Sequence, residues 1–132
     1  MLSLFPQILF LGALSPTLLR VAAGIVFLML AWEHCSRREE LSRVPFIIIG
    51  QGMWIPIFAS SVETIVGAAL IAGVYAQAAA LLGALMALKS LVWRRRYPAF
   101  FPLSNTAAAL LFVICISVLI TGAGVYAFDL PL

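Results

Sequence analysis

Three ionisable side chains stand inside long apolar runs of this 132-residue sequence: Arg20, Glu63 and Lys89. A charge near the middle of a lipid-embedded helix costs about 2.5 to 3.5 kcal/mol on insertion scales, so each needs a partner, a path to water or a task. Glu63 is the hardest to accommodate. It lies mid-run behind Ser60 and Ser61, and a carboxyl at such depth either pairs inside a bundle or holds a ligand or a proton. Glu63, Lys89 and Ser60 therefore form the candidate ligand or proton site. If the runs carrying Glu63 and Lys89 are adjacent antiparallel helices, the two charges fall about 12 and 6 Å from the same end, within reach of a snorkelling lysine stem. Arg20 sits about one turn inside its own run, and Asp129 follows the last run on the same side. A tail folding back would join Arg20 and Asp129 as a structural ion pair.

Other chemistry is poorly provided for. Cys35 and Cys115 stand apart in no metal-ligand or redox spacing. The single histidine, His34, follows Glu33 at the end of a run, where solvation is the expected role. One histidine cannot supply a bis-His haem, and without a cysteine cluster no iron–sulfur or copper site is expected; no metal is expected at all. There is no nucleophile with a base in triad order and no phosphate-binding glycine loop. No catalytic residue is assigned, and no catalysis by the chain alone is expected.

The positioning elements follow from hydropathy. With 64% hydrophobic and 10% charged residues and a mean hydropathy of +1.15, the chain carries more apolar surface than a water-soluble domain of this size can bury. The net charge of +3 lies in short clusters rather than on a basic face, which argues against nucleic acid as a partner. About 20 apolar residues cross a bilayer, and four runs fit: 17–33, 55–73, 76–93 and 105–122. Ser15 and Pro16 read as a cap and first helical residue of the first run, Pro56 opens the second and Gly73 ends it, and Ser104 or Asn105 caps the fourth. The runs lack the period-2 alternation of barrel strands. Residues 7–14, after Pro6, are too short to span and read as an interfacial helix. The expectation is an all-α integral membrane protein, a single four-helix transmembrane domain over 1–132 with a short N-terminal interfacial helix.

Arginines set the orientation. Arg37, Arg38 and Arg43 separate the first two runs and Arg94, Arg95 and Arg96 the last two, while the other connections carry no Lys or Arg. By the positive-inside rule these two loops are cytoplasmic and both termini lie outside. Trp32, Trp54 and Trp93 fall at the same ends, at headgroup level. Packing is expected through small residues: Ala76, Ala80, Ala84 and Ala79, Gly83, Ala87 in the third run, Gly67 in the second and Gly24 in the first. The short second connection makes the second and third helices antiparallel neighbours.

Several of these residues also resemble a known pattern. Leu18, Leu19, Arg20, Gly24, Phe27 and Leu28 are similar to the opening of the DoxX-like family of small bacterial four-span membrane proteins, which is related to the DoxD component of thiosulfate:quinone oxidoreductase. Glu63, Gly67 and Gly73 are similar to its second span, and Gly122, Gly124, Tyr126 and Asp129 to its closing Gly-x-Gly-x-Tyr-x-x-Asp. His34 and Val125 stand where many members carry a lysine and an arginine. The resemblance implies the bacterial inner membrane and a non-catalytic subunit or anchor of a membrane redox complex. No covalently bound cofactor is implied; a quinone and lipids are the expected ligands, and other membrane or redox subunits or a second copy the expected partners. Two other expectations stand beside it: a small proton-coupled exporter using Glu63, and a membrane scaffold whose basic loop, HCSRREELSRVP, docks a protein partner or anionic headgroups.

Overall fold

Each apolar run becomes a helix in the computed structural model, which describes residues 6–125, 127 and 128. After a 3-10 segment at Pro6–Leu14 come α1 (Ser15–Ser36), the short α2 (Arg38–Leu41), α3 (Trp54–Ala72), α4 (Ala76–Trp93) and α5 (Asn105–Thr121). The first continuous apolar helix, Leu11–Ser36, with α3 and α4, is long and apolar enough to cross a membrane; α5 is a shorter apolar helix. No strand forms among the described residues.

The termini follow local chemistry, with one correction. The Ser104 hydroxyl accepts the Ala107 N–H at 3.1 Å and caps α5. Gly73, at φ 73°, closes α3 in the left-handed conformation that glycine adopts freely. Ser15 does not cap α1. Leu14 before it is already helical, and no side chain bonds the first turn, because the 3-10 segment feeds directly into α1. The N-terminal 3-10 segment thus runs into α1 without a break.

The helices are inside out in polarity. Outward stripes are apolar: Leu18, Ile25, Met29 and Trp32 on α1, and Leu81, Leu85, Leu88 and Val92 on α4 are exposed. Arg20, His34 and Glu63 are buried. The main core joins Ala23, Phe27, Val66, Leu70, Ala80, Ala84, Leu111 and Cys115.

Small residues decide which helices touch. A Cβ on Gly24 would stand 2.8 Å from the Gly67 carbonyl oxygen, and one on Gly67 2.9 Å from that of Gly24, so α1 and α3 approach as closely as backbones allow. The small face of α4 packs chiefly on α5; Gly83 lies against Phe27 and Cys115. The turn between α3 and α4 does make them antiparallel neighbours, yet they touch far less than the α1/α3 and α4/α5 pairs. They diverge away from their turn, and the two connecting loops fill the arginine-bearing end.

Those loops pack instead of dangling. Phe46 and Gly50 exchange backbone hydrogen bonds of 2.8 and 2.9 Å around a tight turn. Leu41, Phe46, Ile55, Tyr97, Phe100 and Phe101 form a second apolar cluster, with the Phe46 ring 4.6 Å from Tyr97 and 5.0 Å, edge-on, from Phe100. The Tyr97 hydroxyl accepts the Ile47 N–H at 3.2 Å, tying one loop to the other.

Candidate functional site

The divergence of α3 from α4 leaves a cavity of about 480 Å³, in the size range of small-molecule sites. Phe58, Val62 and Glu63 of α3 form one wall and Met86, Lys89 and Ser90 of α4 the other; Phe27 and Leu30 of α1 and Leu111 of α5 form the floor, and Phe46, Ile48, Phe100 and Phe101 the roof. The lining is apolar except at a few points. His34 and Glu63 are the main one.

Glu63 does not pair with Lys89. It pairs with His34: the His34 Nδ1 lies 2.6 Å from Glu63 Oε2, and both side chains are almost fully buried. The other ring nitrogen, Nε2, lies 2.8 Å from the Phe100 carbonyl oxygen, and the ring packs against the Phe100 ring at 4.8 Å between centroids. His34 is therefore a core residue, contrary to the solvated role its position suggests. A carbonyl only accepts, so Nε2 carries a proton and donates to Phe100. A second proton lies between Nδ1 and Oε2, either as imidazolium donating to carboxylate or as carboxylic acid donating to imidazole. In both arrangements the pair has no net charge, which makes an acid tolerable at this depth.

Side-chain direction explains the pairing. Gly24 faces Gly67, and seven residues further along α1 and back along α3 Ala31 faces Ser60, whose hydroxyl donates to the Ala31 carbonyl at 2.9 Å. On that register Glu63 and His34 are offset by about 9 Å along the axis. Every Cα–Cβ bond leans towards its helix N-terminus, and in an antiparallel pair the two side chains lean towards each other. The offset closes. Ser60 is thus spent on the α1/α3 contact and does not line the cavity.

Lys89 does line the cavity, at its exposed rim, with Nζ 5.8 Å from the Phe101 ring centroid. Its expected partnership fails because α3 and α4 splay apart here, leaving the cavity between the two side chains. Arg20, Gly73 and Gly124 gather at the opposite end. Arg20, 1% exposed, donates from Nη1 to the Ala123 carbonyl, and its guanidinium lies against Gly73. Gly124 lies against Thr17, and Ala127 against Gly73, so Ala123, Gly124 and Ala127 fold back over this end. Tyr126 and Asp129 lie outside the described residues, and with them the expected Arg20–Asp129 pair.

At the arginine-bearing end, Arg37 and Glu40 form a two-point ion pair, Nη2 to Oε1 at 3.0 Å and Nε to Oε2 at 3.1 Å. That bond and the Arg37 charge hold the Glu40 carboxyl below its ordinary range, and Glu40 likewise raises Arg37. No cluster of three or more His, Cys, Asp or Glu suited to a metal occurs among the described residues. Comparison with known proteins finds no matching family model, no matching curated protein and no matching solved structure.

Proposed function

We propose that this chain is a four-span protein of the bacterial cytoplasmic membrane, with both termini outside, that holds a lipophilic small molecule as a non-catalytic subunit or anchor of a membrane assembly. One observation carries this reading: a buried His34–Glu63 pair set in the wall of an apolar cavity of about 480 Å³. An apolar site with a few converging polar groups is the usual form of a small-molecule pocket. The bilayer as solvent is supported by the outward apolar stripes and by helices of spanning length. The orientation is supported by the arginines of both loops, which sit at one end. The redox setting and the quinone class of ligand rest on the DoxX-like resemblance.

Purification in mild detergent tests the proposal. Membrane or redox subunits should copurify, and solvent extraction should release a lipophilic compound that is depleted from a variant with a filled cavity, Ala87→Phe. Thiosulfate oxidation or quinone reduction by the purified chain alone would overturn the non-catalytic role. Equal extracts from the unaltered protein and Ala87→Phe would remove the cavity from the account. The same pair also favours a second reading, a proton-coupled carrier; there Glu63→Gln would abolish proton-dependent flux in proteoliposomes while the fold survives.

A further inference from the structure

We propose that the cavity selects neutral amphiphiles whose head group donates a hydrogen bond, with Glu63 Oε1 as the acceptor. This rests on the cavity being a ligand site, and it specifies what the head group must offer. The argument starts from the two protons of the His34–Glu63 pair. One is on Nε2, bound to the Phe100 carbonyl, and the other lies between Nδ1 and Oε2. Whichever of the two atoms holds that second proton, Oε1 carries none. It presents only lone pairs.

Oε1 has no hydrogen-bond partner among the described residues, and it is not among the fully enclosed, unpartnered polar atoms. Glu63 as a whole is 5% exposed and is part of the cavity wall. An acceptor left without a partner in apolar surroundings is costly, so a donor entering the cavity gains more there than it would in bulk lipid. Ser90, on the opposite wall, points the same way: its hydroxyl donates to the Met86 carbonyl at 3.0 Å, leaving lone pairs for a ligand.

The charges nearby exclude a cationic head. Lys89 stands at the rim on α4 and would repel it. Glu33, beside His34 on α1, is exposed outside the cavity. The floor and walls of Phe27, Leu30, Val62, Met86 and Leu111 take the apolar remainder of the ligand. The fitting chemistry is a phenol or alcohol carried on an apolar body.

Para-decylphenol and its methyl ether differ in little but the donor hydrogen, and they test this in protein reconstituted into lipid nanodiscs. Trp54 and Trp93 line the cavity and report binding by fluorescence. The phenol should bind about tenfold or more tightly than the ether, the worth of one hydrogen bond to a strong acceptor. That ratio should fall to near one in the double variant His34→Leu/Glu63→Leu. If this variant fails to fold, Glu63→Gln, with a weaker neutral acceptor, should narrow the ratio. Equal binding of phenol and ether to the unaltered protein overturns the donor requirement and leaves the cavity reading intact. A ratio unchanged in the variants overturns Glu63 as the acceptor. Binding of neither probe overturns both the inference and the reading beneath it.

Discussion

The two ends of the bundle each bury an ionisable group and treat it in opposite ways. At the turn end, Arg20 is wrapped by backbone: it bonds the Ala123 carbonyl and lies against Gly73, and no Cβ would fit at Gly73 or Gly124. Towards the arginine-bearing end, the mid-helix Glu63 is paired on one oxygen with His34, and the helices beside it stand apart around a cavity. Burial at the first end is packing carried to its limit. Burial at the second leaves room. A group held only for architecture gains from close packing, so the open space beside Glu63 favours the ligand reading proposed for that end.

The largest expected effect tests whether the His34–Glu63 pair behaves as a unit. His34→Leu removes the partner of Glu63 and should cost about 3 to 5 kcal/mol. The double variant His34→Leu/Glu63→Leu should recover most of that loss, because a buried pair exchanged for apolar side chains of similar size is often neutral. Thermal melts in detergent, followed by a thiol-reactive dye, can read both. Cys115 is buried and becomes reactive only on unfolding, while the exposed Cys35 sets the baseline. A double variant no more stable than the single one would show that the pair does not act together.

The second effect belongs to the packed end. Gly73→Val places a branched side chain at φ 73°, with its Cβ within 2.8 Å of the Ala127 backbone. The strain and the overpacking together should cost about 2 to 4 kcal/mol. Gly50→Val shares the positive φ, but a Cβ there meets nothing within 4 Å, so it should cost only the backbone strain. Equal melting temperatures for the two would mean that the turn end is not packed as described.

What could be read in advance follows the same division. Helix spans depend on length and hydropathy over many residues, so α3, α4 and α5 start and end within about a residue of expectation; Gly24 and Gly67 read as packing residues, but their direct apposition is visible only in the structure. The site was half legible. Glu63 stood out because a carboxyl in an apolar run has few excuses. Its partner did not, because α1 extends to Ser36 and takes His34 into the bundle, and because the pairing depends on the lean of side chains between antiparallel helices rather than on equal depth. The aromatic roof was missed for another reason. Val44 to Phe46 and Tyr97 to Phe101 lie in basic loops, whose charge points to solvent; the three aromatic residues from Tyr97 to Phe101 are the contrary signal.

A smaller effect compares two positions on one helix. Ala80 and Ala87 lie two turns apart on the same face of α4 and are both buried, but only Ala87 borders the cavity. Leucine at position 80 must displace packed neighbours and should cost about 1 to 3 kcal/mol. At position 87 it has space to enter, so the melting temperature should hold while binding of the decylphenol probe falls. If Ala87→Leu destabilises as much as Ala80→Leu, the cavity is not available volume.

The smallest effect concerns the rim, where charge meets water. Glu40 has its carboxyl held below the ordinary value of 4.5 by Arg37, so whatever the pair adds to stability is present above that value and is lost as pH falls through the lowered one. Both side chains are open to solvent, and exposed ion pairs contribute little. The Cys115 melt of Glu40→Gln should therefore match the unaltered protein within error above and below 4.5, at low and at high salt. A marked acid-side loss in the unaltered protein that Glu40→Gln abolishes would show that α2 and its ion pair brace the roof over the cavity, and the contrast between a packed end and an open one would have to include a charged clamp.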